Sequence, residues 1–103
     1  MAIVDVVVIP VGTNGPSVSQ YIAEIQVELE KFKQQGLIEY QLTPMNTLIE
    51  GELSDLLTVV KTIHELPFNK GLDRVCTNIR IDDRRDKKRK MNEKITSVQK
   101  HLS

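Results

Sequence analysis

The chain has 103 residues, 14 of them basic and 14 acidic, for a formal net charge of zero at pH 7. That length suits one domain, 1–103, whose modest core oligomerisation would reinforce, and the balanced charge supplies no global field to hold nucleic acid or an anionic membrane. A lone cysteine, Cys76, excludes an internal disulfide and fits a reducing compartment, with the cytoplasm as the default.

The opening Met1-Ala2-Ile3-Val4-Asp5-Val6 lacks the basic, apolar and small-residue succession of a secretory signal, so no export is expected. The longest apolar run, Val6 to Ile9, is far short of the roughly 20 residues of a membrane helix. Ala2 to Val11 is rich in β-branched residues on both phases of a two-residue period, which predicts a central strand buried on both faces. Pro10 helps close it, and Gly12 to Pro16 forms a loop.

Ser17 and Gln20 fit a capping box. Val18, Ile22, Ile25, Leu29 and Phe32 then draw one apolar stripe along a helix that ends before Gly36. Ile38, Tyr40 and Leu42 alternate with polar residues as a half-buried strand ended by Pro44, and Thr47 to Gly51 is a short strand. Leu53, Leu56, Leu57, Val60, Ile63 and His64 mark a second helix, which Pro67 is expected to stop. Arg74 to Asp83 alternates again, with Val75, Thr77, Ile79 and Ile81 on one face. Met91, Ile95, Val98 and Leu102 signal a last helix, with Asp86 as its expected cap and Lys87 to Lys90 awkwardly near its positive end.

Strand, helix, strand, strand, helix, strand is the ferredoxin-like order. It predicts an α+β sandwich: a four-stranded antiparallel sheet, two helices on one face and an appended C-terminal helix. The other face, with Cys76, Asn78, Arg80, Asp82, Glu39 and Gln41, would be mixed in character and in need of a partner.

RNA is a poor candidate, because the sheet lacks the exposed aromatic rings on which RNA-recognition domains stack bases. The basic run Arg84 to Lys90 contains Asp86 and follows Asp82 and Asp83, so it reads as a solvated turn or as charge pairing between subunits. Catalysis has thin support. His64 lies on an apolar stripe, His101 near the chain end, and neither is visibly paired with Cys76; no zinc-ligand spacing or phosphate-loop motif is present.

Binding of a small heteroaromatic molecule is better supplied. Asn46 offers a donor and an acceptor, Thr47 a hydroxyl and Glu50 a carboxylate, near Val8, Ile9, Met45 and Ile49, which together suit a mostly apolar pocket. Asn46 and Thr47 would serve equally well simply to close a turn.

Several segments, in order, carry a family resemblance: Ile9-Pro10-Val11-Gly12-Thr13, Ser19-Gln20-Tyr21-Ile22-Ala23, Met45-Asn46-Thr47-Leu48-Ile49-Glu50-Gly51, His64-Glu65, and Asp73-Arg74-Val75-Cys76-Thr77 running into Ile81-Asp82-Asp83-Arg84-Arg85-Asp86. In these the chain resembles the small thiamine-binding protein family. The resemblance implies a ferredoxin-like subunit of a homodimer or homotetramer that binds thiamine or its hydroxymethylpyrimidine portion as a guest, without catalysis, cofactor or metal. Position by position, it implies that Met45, Asn46, Thr47 and Glu50 form one wall of the ligand site, and Pro10, Thr13, Ser19 and Tyr21 the other. Arg74, Asp82, Arg84, Arg85 and Asp86 are assigned to subunit contacts. The different reading is an assembly module whose open sheet face is filled by another subunit, with no physiological ligand; a third is a small enzyme using Cys76 or a carboxylate.

Overall fold

The computed structural model describes residues 1–12, 18–86 and 91–102, apart from the side chains of residues 18 and 91–94. Ser17, Thr13 and Lys87 to Lys90 therefore lie outside the described residues, and with them the expected capping box and the basic run's far half. The elements are β1 (Ala2–Val11), α1 (Val18–Gln34), β2 (Ile38–Leu42), β3 (Thr47–Gly51), α2 (Leu53–Asn69), β4 (Arg74–Asp83) and α3 (Met91–Leu102). The sheet order is β2-β3-β1-β4, antiparallel throughout. This is the α+β architecture expected from the element order, and α1 and α2 cover one face.

β1 alternates strictly. Ala2, Val4, Val6 and Val8 are buried under the helices, while Ile3, Asp5 and Val7 are half-buried on the other face and Ile9 is 41% exposed. The expectation of a strand buried on both faces is corrected: both phases are apolar in sequence, but among the described residues α1 and α2 cover one face and the other is only half-buried. Leu29 of α1, Ile49 of β3 and Leu56, Val59 and Ile63 of α2 complete the core with no more than trace exposure. Each such side chain contributes about 1.5–3 kcal/mol on burial.

α1 ends because Gly36 takes a left-handed conformation (φ 78°) and its N–H reaches Lys33 O at 2.9 Å, while Leu37 N–H reaches Phe32 O at 3.2 Å. α2 does not stop at Pro67. It runs on to Asn69, because Pro67 falls in its last turn, is itself buried, and still offers its carbonyl to the N–H groups of Lys70 and Leu72. The helical stripe also shifts: Val59 is buried where Leu57 is 44% exposed.

α3 begins at Met91 and Asp86 pairs with Arg84; the stretch on which its expected capping role falls, 87–90, lies outside the described residues. The stripe of α3 stays uncovered, with Ile95, Val98 and Leu102 at 48%, 57% and 80% exposure. The radius of gyration, 15.0 Å, exceeds the roughly 13 Å of a compact chain of this length, as an outlying helix requires.

A short side-chain bond ties α1 to β2: Tyr40 Oη donates to Glu30 Oε2 at 2.6 Å. That bond, then burial, then the carboxylate's charge hold the Tyr40 phenol above the usual tyrosine value. A raised pKa means the contribution is full below the ordinary value near 10 and is lost as pH rises through the folded one. Tyr40→Phe is expected to cost about 1 kcal/mol at neutral pH, read as a fall of a few degrees in the thermal midpoint; an unchanged midpoint would show the bond to be energetically idle.

Candidate functional site

The strands differ in length, and a cleft follows from the difference. β1 has ten residues and β3 five, and their pairing ends at Val6 with Thr47. Beyond Val6, β4 is the one strand paired with β1 among the described residues. The β2–β3 turn and the first turns of α1 rise beside this bare edge and enclose a cleft of about 170 Å³. Val8, Ile9, Ile22, Ile25, Leu42 and Met45 give it apolar walls, and Gln26, Thr43, Asn46 and Thr47 its polar side chains.

The turn is built by Thr43. Its backbone N–H reaches Asn46 O at 2.8 Å, and its hydroxyl accepts from the N–H groups of Asn46 (3.0 Å) and Met45 (3.2 Å). The same hydroxyl donates to Asn46 Oδ1 at 2.6 Å. Asn46 thus closes the turn through its carbonyl and backbone amide, with Oδ1 fastened to Thr43; its side-chain amide nitrogen has no hydrogen bond among the described residues. Thr47 is 7% exposed and its hydroxyl accepts from Gln26 Nε2 at 3.4 Å. Met45 is 83% exposed at the rim.

Of the residues expected to bind ligand, the cleft unites Met45, Asn46 and Thr47. Glu50 is not with them. Three positions from Thr47, it falls on the opposite face of β3, between Ile3 and Glu39, where it is 5% exposed. Pro10 lies past the cleft, buried and paired with Val75. Ser19 is exposed and Tyr21 half-buried near the start of α1, and neither lines the cleft. Thr13 is outside the described residues. Gln26 and Thr43, which the sequence reading passed over, complete the polar lining. Gln26 stands four residues after Ile22, on the border of the apolar stripe, and the Thr-x-x-Asn spacing of 43–46 was the turn's own signal.

The residues expected at subunit contacts do not form one cluster. Arg74 and Asp82 stand near opposite ends of β4, separated by roughly 26 Å at strand rise. Arg84 pairs with Asp86 at 2.7 Å and Arg85 with Asp83 at 2.8 Å. The Arg85 hydrogen bond holds the Asp83 carboxyl below its usual value, and Asp86 and Asp83 raise the guanidinium values of Arg84 and Arg85. On the open face Arg80 Nε donates to Asp5 Oδ2 at 2.6 Å. His64 Nδ1 lies 2.6 Å from Thr77 Oγ1, with its ring edge-on to Phe68 at 5.5 Å. Cys76 is exposed on the open face. Among the described residues no group of three or more His, Cys, Asp or Glu could hold a metal ion, and no helix is long and apolar enough to cross a membrane.

Comparison with known proteins places this geometry in context. A UPF0045 protein of Staphylococcus xylosus is 75% identical over 103 residues, covering 100% of this chain and 96% of its own. The UPF0045 protein YqgV of Bacillus subtilis is 66% identical over 102 residues, covering 99% and 98%. The crystal structure of a hypothetical protein from Methanocaldococcus jannaschii superposes with a TM-score of 0.82 at 28% identity, over 95% of each chain. A family model described as thiamine-binding protein matches residues 4–99, and with nearly its whole length so matched the chain belongs to the thiamine-binding protein family.

Proposed function

We propose that the cleft at the β2–β3 turn binds thiamine or a related pyrimidine such as hydroxymethylpyrimidine, as a guest that is held and not transformed. The observation that carries this reading is the bare edge of β1 facing an apolar wall with amide and hydroxyl groups at its rim. An aminopyrimidine presents a donor and an acceptor side by side. A strand edge and the amides of Gln26 and Asn46 are built to meet such a pattern.

Size narrows the fit. About 170 Å³ is below the roughly 300–1,000 Å³ of pockets for drug-sized ligands. The pyrimidine ring goes in, and the remainder of thiamine lies along exposed Met45 and Ile9. Glu50, on the far face, takes no part at this cleft, nor does Tyr21. The reading is non-catalytic because His64 is engaged with Thr77 and the described lining of the cleft includes no cysteine, histidine or carboxylate. The working form is a cytoplasmic homodimer or homotetramer, without nucleic acid or membrane as partner.

Titration calorimetry with thiamine and with hydroxymethylpyrimidine, beside mass spectrometry of ligands retained by natively purified protein, tests the proposal. Saturable binding of both, with a retained pyrimidine, is the expected result. Absence of binding for either would overturn it and favour the assembly module with no physiological ligand.

A further inference from the structure

Hydrogen bonding at the β2–β3 turn fixes which way the main-chain groups of β1 point. Within a strand the N–H and C=O of one residue face the same neighbour, and successive residues alternate. Thr43 N–H reaches Asn46 O at 2.8 Å across the turn, so the main-chain groups of Asn46 face β2 and those of Thr47 face β1. Thr47 is paired with Val6, which therefore exchanges both bonds with it. Val8, two residues on, aims its N–H and C=O the same way, and there the pairing with β3 has already ended.

Pro10 gives the same phase independently. It has no N–H, yet it lies within the continuous β1–β4 register, so its nitrogen faces away from β4. The missing donor leaves the ladder with β4 whole and thins the bare edge instead. A chain adding itself there as another strand would find a donor at Val8 and none at Pro10. The edge suits a small guest better than a strand.

Val8 is 8% exposed and lines the cleft, and its N–H and C=O have no hydrogen bond among the described residues. Buried main-chain groups are nearly always paired. One donor and one acceptor side by side on an extended residue are the complement of a ring nitrogen next to an amino-bearing carbon.

We infer that Val8 holds the pyrimidine by a two-point main-chain clamp: its N–H donates to the ring nitrogen beside the amino group, and its C=O accepts from that amino group. The clamp rests on the pyrimidine reading of the cleft and adds to it the orientation of the ring. Because N–H precedes C=O along β1, the ring nitrogen lies on the Val6 side and the amino group on the Pro10 side. In hydroxymethylpyrimidine the methyl-bearing carbon adjoins that nitrogen, and the hydroxymethyl-bearing carbon adjoins the amino-bearing one. The small methyl group then points to the end that Val6 and Thr47 close, and the hydroxymethyl group, or the thiazolium of thiamine, to the end where β1 runs on bare. An oxo group in place of the amino group reverses donor and acceptor. Such a ring meets Val8 only when turned end for end, which drives its hydroxymethyl group against Val6 and Thr47.

Calorimetry and amide exchange test the clamp on the wild-type protein. Hydroxymethylpyrimidine should bind, and its oxo analogue about a hundredfold more weakly or worse. By nuclear magnetic resonance the Val8 amide should exchange faster than those of Val7 and Ile9, which face β4, and saturation with hydroxymethylpyrimidine should slow it about tenfold or more. With isotope-labelled hydroxymethylpyrimidine, a scalar coupling across the hydrogen bond should join the Val8 amide nitrogen to the ring nitrogen. Equal affinity for the two rings, or a Val8 amide whose exchange the bound ring leaves unchanged, would overturn the clamp while leaving the cleft a pyrimidine site. No binding of hydroxymethylpyrimidine at all would remove the clamp together with the reading on which it rests.

Discussion

Gly51→Ala is expected to lower the midpoint of thermal unfolding by roughly 10–20 °C, the consequence of about 3 kcal/mol of overpacking. Gly51 is the last residue of β3, paired with Ala2 on one side and Ile38 on the other, and it is buried. A Cβ there would sit 2.7 Å from the backbone oxygen of Leu37 and 3.5 Å from Leu56 Cδ2. A backbone carbonyl cannot swing aside as a side-chain terminus can. The entry into β2 or the start of α2 must move, and both carry core residues, Ile38 and Leu56.

Gly36→Ala is the control. Nothing lies within 4 Å of its added Cβ, and only the left-handed backbone is strained, at about 1 kcal/mol. Differential scanning calorimetry should separate the two variants clearly, and a Gly51→Ala midpoint within 2 °C of the Gly36→Ala midpoint (~2 °C being well under the shift that 1 kcal/mol causes) would show that the strand relaxes freely. Because Gly51 and the cleft lie at opposite ends of β3, the folded fraction of Gly51→Ala should still bind ligand.

Much of this architecture was legible in the residues, and what was not has physical causes. Hydrophobic period located every element, and Arg74–Asp83 alternates cleanly enough that its ends agree with the structure. β1 misled because an apolar residue on a strand's second face signals affinity for a cover without saying that the same protomer supplies it. Pro67 misled in the other direction, since a missing N–H costs little where the helical ladder is about to end. The cleft could have been foreseen from strand lengths, a strand of ten residues beside one of five.

Grouping Glu50 with Thr47 followed nearness along the chain, although their separation by three already assigned them to opposite faces of a period-two strand. Gln26 showed in the sequence only as a polar residue on the border of the apolar stripe, and its reach to Thr47 depends on how α1 rotates over β3. The charged residues divide in the same way. Arg85 with Asp83 and Arg84 with Asp86 are local pairs, exposed and worth little. Arg80 with Asp5 joins residues 75 positions apart in sequence, a pair that only the β1–β4 register reveals.

Asn46 is the residue at which turn chemistry and ligand chemistry meet, and two substitutions separate them. Asn46→Ala removes the Oδ1 acceptor of the 2.6 Å bond from Thr43 but leaves the bonds from the N–H groups of Asn46 and Met45 to the Thr43 hydroxyl, and that from Thr43 N to Asn46 O. The turn should therefore survive with a loss of about 1 kcal/mol. Asn46→Asp keeps an acceptor for Thr43 and removes only the amide nitrogen, the group with no hydrogen bond among the described residues.

If that nitrogen donates to the pyrimidine, both variants should weaken binding by about tenfold to a hundredfold, the equivalent of roughly 1.4–2.8 kcal/mol. Neutral hydroxymethylpyrimidine is the proper probe, because the cationic thiazolium of thiamine would be attracted by the new carboxylate and mask the loss. The thermal midpoint should fall in Asn46→Ala and hold in Asn46→Asp. Affinity that follows the midpoint, lost in the first variant and kept in the second, would assign Asn46 to the turn alone; affinity lost in both while the second remains as stable as wild type makes it the donor that orients the ring against the bare edge of β1.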